Sequence, residues 1–342
     1  MKRTIALGAA ALLASTSLAS AQEVLNLYNW GNYTSPELLE RFTEETGIEV
    51  TVTDFDSNDT ALARIRQGGH GFDIVVPSDS YIQTWIEEEL FQPLDPEIVT
   101  DRDNIAPQWR DVDFDPGREY TVPWAWGTTG VIVDTSVYSG DINTAEVILD
   151  PPSELAGRIN VIPEMSDVMA LAIYYHGGER CTDDMDLLRQ VRDTLMEAKP
   201  DWLALDYGAV DSYAAGDFAA GIYWNGASMR VRLQNDDFAY GYPQTGYPIW
   251  MDNAAVLADA ENPENAMRFI NFIIQPENAA LISNFARYAN GISGSEEFMD
   301  EEMRDAPEIV VPDELVEAGR FGQACPQEVN DIHTQIWTEL LQ

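Results

Sequence analysis

Positive charge is scarce in this chain. Its 342 residues carry 19 Lys and Arg against 59 Asp and Glu, a formal net charge of −40 at pH 7. A chain so acidic is repelled by nucleic acid and by anionic membrane surfaces, and it draws cations inward. Few of these carboxylates fit around one pocket, so most of the charge is a solvated face and says little about a ligand by itself. Histidine and cysteine are also rare. The three His are scattered: His70 lies among glycines, His176 ends a helical stretch and His333 lies in the last one. None has metal-ligand spacing. The two Cys form no C-x-x-C, and neither G-x-S-x-G nor a P-loop occurs. These absences speak against a metal centre, a thiol redox site, a serine-hydrolase elbow and a Walker-type nucleotide site. Beyond the N-terminal segment, no apolar run is long enough to cross a bilayer.

That N-terminal segment reads as a signal peptide over residues 1–21. Lys2 and Arg3 make a basic start, Ile5 to Leu18 is apolar or small, and Ala19-Ser20-Ala21 is an A-x-A cleavage site. No Cys follows the cleavage site to take a lipid anchor. The expected mature protein starts near Gln22 and is exported to the periplasm. Its length exceeds one typical core and suggests two domains. In an exported protein Cys181 and Cys325 are read as a disulfide staple, with two separate thiols as the alternative.

Along the chain, Val24 to Tyr28 alternates as a first strand. Ser35 as N-cap, Pro36 in the first turn and Gly47 at the end bound a helix whose face is Leu38, Leu39 and Phe42. Ile48, Val50 and Val52 alternate as a second strand. Asn58 or Asp59 caps a short helix, and Phe72 to Val76 reads as a buried strand of a parallel sheet. This β-α-β-α-β order predicts a doubly wound α/β sheet, with ligands beyond the C-terminal strand ends. Asn29 to Tyr33 and Pro77 to Tyr81 fall there. Residues 95–123 read as a surface connection and Gly127 to Val133 as a strand crossing between lobes. A second α/β pattern follows: strand Arg158 to Ile162, helix Met165 to Tyr175, amphipathic Asp184 to Ala198, strand Phe218 to Trp224 and helix Ala227 to Leu233. Trp250 to Leu257 is a second crossing, followed by helices Pro263 to Ile274, Pro276 to Phe285 and Val329 to Leu341. Two crossings imply discontinuous lobes. We expect residues 22–129 and 253–299 in the first, and 130–252 and 300–342 in the second.

The residues at these strand ends are aromatic or acidic. Glu164 and Asp167 are three apart at a predicted helix start, so both reach one cleft. Asp252 sits beside Trp250, and Trp30, Tyr33, Trp224 and Tyr288 supply flat walls. A protonated alkylamine asks for this set: carboxylates for its ammonium ends and aromatic faces for its methylenes, with cation–π attraction of about 0.5–2 kcal/mol each. Singly, each residue has a plainer reading. A Trp after a strand packs a core, Glu164 and Asp167 suit a helix dipole, Ser78 suits an N-cap, and Asp79 and Tyr288 suit turns.

Val24 to Thr53, Gly71 to Ser78 (GFDIVVPS), Pro123 to Gly130, Trp224-Asn225-Gly226 and Trp250-Met251-Asp252 together resemble the periplasmic spermidine/putrescine-binding proteins of ABC importers. The resemblance runs along nearly the whole mature chain and is strongest in its first third. It implies a two-lobed group II periplasmic binding protein fold with the polyamine in an interlobe cleft. Matched residue by residue, it implies ligand contacts from Trp30, Tyr33 and Ser78, an acidic pair at Glu164 and Asp167, and an aromatic box of Trp224, Trp250 and Tyr288. It also implies an acid at Asp252 near the box and a polar contact at Gln323. The chain departs from the pattern at Gly31 and Asn32, where relatives carry hydroxyl and acidic residues, and at Ser80, where some carry an aromatic. At Ala227, putrescine-selective relatives carry an acid. Keeping Glu164, Asp167 and Trp250 without an acid at 227 leans toward spermidine over putrescine. The expected partners are a polyamine and a membrane permease, with a monomer as the binding unit and no cofactor or metal. Another cationic amine, a sensory adaptor or an exported enzyme using the Glu164/Asp167 pair for acid–base work are the alternatives.

Overall fold

The computed structural model describes residues 23–342, and the signal peptide read at 1–21 lies outside the described residues. The first part of the chain forms β1 (Val24–Trp30), α1 (Pro36–Thr46), β2 (Glu49–Phe55), α2 (Asn58–Arg66), β3 (Ile74–Val75) and α3 (Asp79–Glu87). The middle forms β4 (Thr121–Asp134), α4 (Glu146–Leu149), β5 (Ile159–Val161), α5 (Met165–Tyr175), α6 (Met185–Ala198), β6 (Trp202–Leu205), α7 (Val210–Ala214), β7 (Ala220–Trp224) and α8 (Asn225–Arg232). The remainder forms β8 (Phe238–Gly241), β9 (Tyr247–Val256), α9 (Pro263–Ile273), α10 (Pro276–Ala286), α11 (Glu301–Arg304), β10 (Gly319–Phe321) and α12 (Gln327–Leu340).

The strands run in the order β2-β1-β3-β9-β4-β7-β5-β6, with β10 on β9 and β8 on β4. Two parallel triplets lie at the ends, β2-β1-β3 and β7-β5-β6. The antiparallel pair β4/β9 joins them. β4 is the connector: Thr121 to Thr128 pairs with β9, and from Thr129 the same strand pairs with β7. Its residues are buried almost end to end, as a strand covered on both faces requires. Each triplet carries its own helices, so the molecule is a two-lobed mixed α/β protein. Ser35 caps α1 by accepting from the Leu38 N–H, and Gly47 closes it in the left-handed region at φ 76°. In the first lobe Leu25 and Leu27 of β1, Phe42 of α1 and Phe269 of α9 are fully buried, each contributing about 1.5–3 kcal/mol of apolar transfer. Cys181 and Cys325 are bonded to one another, tying the loop after α5 to the segment before α12.

Two expected elements take a different form. The strand read over Phe72 to Val76 narrows to Ile74–Val75. Asp73 keeps main-chain bonds to Asn26 and Leu257, while its carboxylate accepts from the Asn26 N–H at 2.8 Å, an extra side-chain contact at the strand's edge, and from the Asn262 N–H at 2.7 Å. Helix α2 is capped by Ser57, not by Asn58 or Asp59, and the Ser57 hydroxyl accepts from the Thr60 N–H at 3.2 Å. That frees the Asn58 side chain for other work. Strands β6, β8 and β10 were not anticipated; with at most four residues each, they are too short to show a period.

Candidate functional site

β1 ends at Trp30, and Asn32 takes a left-handed φ of 56°, which turns Tyr33 back toward the sheet. The Trp30 indole N–H donates to the Val76 carbonyl at 2.9 Å, an acceptor released where β3 stops. Ser78 occupies the N-cap position of α3 but makes no cap bond there. Its hydroxyl instead donates to Asp252 Oδ1 at 2.6 Å, while the Tyr33 hydroxyl donates to Asp252 Oδ2 at 2.7 Å. Asn58 fixes Ser78 in turn: its Oδ1 accepts from the Ser78 N–H at 3.0 Å and its Nδ2 donates to Ser78 Oγ at 3.1 Å. Asp252 comes from β9, opposite Ala125 of β4, so the connecting strands carry it to the interlobe boundary.

The second lobe supplies the facing acids. Glu164 is the N-cap of α5; its Oε1 accepts from Ser166 Oγ at 2.9 Å. Its Oε2 reaches across the cleft to the Asn58 N–H at 3.2 Å. Glu164 is thus both a helix cap and a cleft residue, and the two readings of it are compatible. Asp167, one turn on, accepts from Thr129 Oγ1 at 2.6 Å and from the Trp224 indole at 3.0 Å through the same oxygen. Trp224 stands at the end of β7, with its ring 6.4 Å from Trp30. Tyr288 follows α10 from the first lobe. Its ring meets Trp250 edge-on at 5.2 Å and Tyr33 at 5.5 Å, and its hydroxyl accepts from the Ala227 N–H of the second lobe at 3.2 Å.

One cavity brings together Trp30, Tyr33, Ser78, Glu164, Asp167, Trp224, Trp250, Asp252 and Tyr288. Gln323 is not among them. It lines an adjoining cavity with His333 and Cys325, and its amide donates to Cys181 Sγ at 3.3 Å. Gly322 lies at the approach to Asp79; a Cβ there would be 2.5 Å from Asp79 Oδ2.

Five further charged or aromatic residues line the cavity: Asp79, Arg180, Tyr207, Tyr223 and Arg230. Sequence reasoning missed them as a set. Asp79 reads as a turn residue, Tyr207 follows the unanticipated β6, and nothing in the local sequence marks either arginine. Asp79 is 1% exposed and its Oδ2 has no partner.

Burial dominates the electrostatics. It pushes the Glu164 carboxyl up to about 8, with Asp167 and Asp59 adding repulsion against the Ser166 and Asn58 hydrogen bonds. It pushes Asp252 up to about 7 against the Ser78 and Tyr33 hydrogen bonds. Asp79 also rises to about 7, chiefly by burial, with Arg180 opposing. Burial raises Asp167 too, against the Thr129 hydrogen bond, the Arg180 charge and the Trp224 hydrogen bond. When ionised, the four carboxyl groups outnumber the two guanidiniums in a confined space, and burial makes that ionisation costly without a cation. A cation of two or more charges relieves that cost, and the ring faces cover a methylene chain between its charges.

A cavity walled by both lobes of a two-lobed α/β protein, at the joint between connecting strands, defines a solute-binding protein. The chain belongs to the bacterial extracellular solute-binding protein family, whose model matches residues 37–310. It is 30% identical to the spermidine/putrescine-binding periplasmic protein of Salmonella typhimurium over 84% of this chain and 83% of that one. It is 25% identical to the putrescine-binding periplasmic protein SpuD of Pseudomonas aeruginosa over 99% of this chain and 97% of that one. Among solved structures, the spermidine/putrescine ABC transporter substrate-binding protein PotD of Streptococcus pneumoniae matches with a TM-score of 0.76 at 26% identity. That match covers 93% of this chain and 98% of that one.

Proposed function

We propose that this protein captures a polyamine in its interlobe cleft, spermidine ahead of putrescine, and hands it to the membrane permease of an ABC importer from the periplasm. The observation that carries the reading is Asp252. Both its oxygens are held by neutral hydroxyls, Tyr33 and Ser78, and Trp250 and Tyr288 stand beside it. Glu164 and Asp167 face it from the second lobe. One ammonium at Asp252, which is held by Tyr33 and Ser78 of the first lobe, and another at the Glu164/Asp167 pair would tie the two lobes together and favour the closed arrangement. Names of relatives that bind spermidine and putrescine support the ligand class. The preference for spermidine rests on Ala227, which brings a main-chain N–H and no acid to the Tyr288 side of the cavity.

On this reading the lobes comprise residues 22–129 with 253–299, and 130–252 with 300–342. The change of partner along β4 at Thr128–Thr129 supports the first boundary. The mature chain acts as a monomer, because one pair of lobes encloses the ligand, and it does no chemistry on its solute. Titration calorimetry of refolded protein against spermidine, putrescine, spermine and cadaverine tests the proposal. Micromolar or tighter binding of at least one, with spermidine tightest, is the expected result; no binding to any overturns it.

A further inference from the structure

At one end of the cavity a guanidinium outweighs the nearest acid, and Tyr207 of the second lobe closes that end against the first. Tyr207, in the turn between β6 and α7, lays its ring parallel to Trp30, 6.2 Å between centroids and 11° between planes. Its hydroxyl donates to the Gly31 carbonyl at 3.0 Å, a bond from the second lobe to the first. Gly31 is what makes this possible: a Cβ there would stand 3.1 Å from Tyr207 Cε1, tighter than ordinary contact. Next to it Arg230 donates to the Asn32 carbonyl at 3.0 Å, also across the lobes. The Arg230 charge acts on the hydroxyls of Tyr207, Tyr223 and Tyr288 together, which places a guanidinium among phenols at this end. Asp54 comes within 3.9 Å of the same Gly31 position but does not line the cavity.

An ammonium reaching this end therefore meets a ring edge and a guanidinium whose charge at the Tyr207 hydroxyl outweighs that of Asp252. Like charges held close in a poorly solvated site oppose one another strongly. Methylenes, by contrast, are covered by the stacked Trp30 and Tyr207 faces up to the point where the ring stops the chain. We infer that Tyr207, seated by Gly31 and flanked by Arg230, ends the binding cavity and sets the longest polyamine it accepts. The wall excludes tetraamines such as spermine, whose last ammonium would be driven against Arg230. This inference rests on the polyamine reading above and deepens it.

The experiment is titration calorimetry of spermidine and spermine against the refolded chain and the variants Tyr207→Ala, Tyr207→Phe and Gly31→Ala. Wild type is expected to prefer spermidine over spermine by at least about tenfold. Tyr207→Ala removes the wall and brings the two affinities within about threefold, through a gain for spermine. Gly31→Ala displaces the ring and moves the ratio in the same direction without altering Tyr207. Tyr207→Phe keeps the wall and loses the hydroxyl, so it retains the wild-type ratio. A wild type that binds both amines equally overturns the inference and leaves the polyamine reading intact. So does a Tyr207→Ala variant that weakens both in parallel, which would make Tyr207 a latch and no gauge of length. A wild type that binds neither amine, nor any other polyamine, overturns the polyamine reading and this inference with it.

Discussion

Replacing Asp252 by Asn tests the centre of the site with little disturbance of its shape. Asp252 is 5% exposed and holds two short hydrogen bonds, from Tyr33 at 2.7 Å and Ser78 at 2.6 Å. An Asn amide keeps one acceptor oxygen, and its NH2 faces a hydroxyl that can rotate to accept, so the surrounding contacts survive. What disappears is the charge. An ammonium about 4 Å from a carboxylate gains about 4 kcal/mol at an effective dielectric of 20. Part of that gain only offsets the cost of stripping water from both ions, and hydrogen bonds to charged groups net about 1.5–3 kcal/mol. At about 1.4 kcal/mol per decade this predicts a loss of roughly 10- to 100-fold in polyamine affinity. Calorimetry at pH 7.5 reads the loss directly. The ligand-free variant should not melt lower than wild type, because burial already opposes the Asp252 charge. An affinity within about threefold of wild type would refute the role given to this carboxylate.

Gly226→Ala is expected to weaken ligand binding while leaving the melting temperature unchanged, because its Cβ would meet the Tyr288 ring at 2.5 Å across the lobes; equal affinity by calorimetry contradicts this. Closure without ligand should depend on pH. The cleft acids hold ordinary values when the lobes are apart and rise to about 7 for Asp252 and Asp79 and about 8 for Glu164 on closing. Closing therefore takes up protons, is favoured at low pH and is lost as pH rises through about 7–8; small-angle scattering between pH 5 and 9 should show compaction at the acid end, and a flat profile sinks the argument. Mutating Cys181 and Cys325 together to Ser removes a link across 144 residues, and urea unfolding should show a loss of about 2–5 kcal/mol; unchanged stability would mean that the staple is redundant.

The regular parts of the fold were legible because their signals are local. The Ser35-Pro36 start and Gly47 stop of α1 read directly as caps, and α5, α9, α10 and α12 follow apolar periodicity to within a few residues. The acids and aromatics were legible as a set because strand ends in α/β sheets collect ligands. What escaped the sequence is long-range. That the Asp73 carboxylate serves Asn26 and Asn262 depends on contacts 47 and 189 residues away. Tyr207 reaches Gly31 over 176 residues, and no period or cap marks such a pair. Gly31 was visible as a departure from related chains, but its meaning was not: the missing side chain is filled from the other lobe. Gln323 is a different case. A position carried over by resemblance lines the adjoining cavity, where its amide donates to Cys181 Sγ.

The same geometry explains why a ligand decides closure. The bonds that cross the cleft are few: Asn58 to Glu164, Tyr207 to Gly31, Arg230 to Asn32 and Ala227 to Tyr288. Each nets about 0.5–1.5 kcal/mol. Against them stands the burial of four carboxylates, each pushed above its ordinary range by desolvation. The bonds favour closing and the buried acids oppose it, so the closed arrangement is not held by the protein's own contacts alone. Moving such an equilibrium from about 1:99 to 99:1 requires about 5.5 kcal/mol of differential affinity. Two ammonium groups, one at Asp252 with its first-lobe partners Tyr33 and Ser78 and one at the Glu164/Asp167 pair, supply about 3–6 kcal/mol at the net magnitudes worked above, and they do so only when the lobes meet. A monoamine satisfies one station and leaves the other acids buried and unpaired. The charge surplus therefore selects for at least two cationic ends before any contact with the aromatic box discriminates among polyamines.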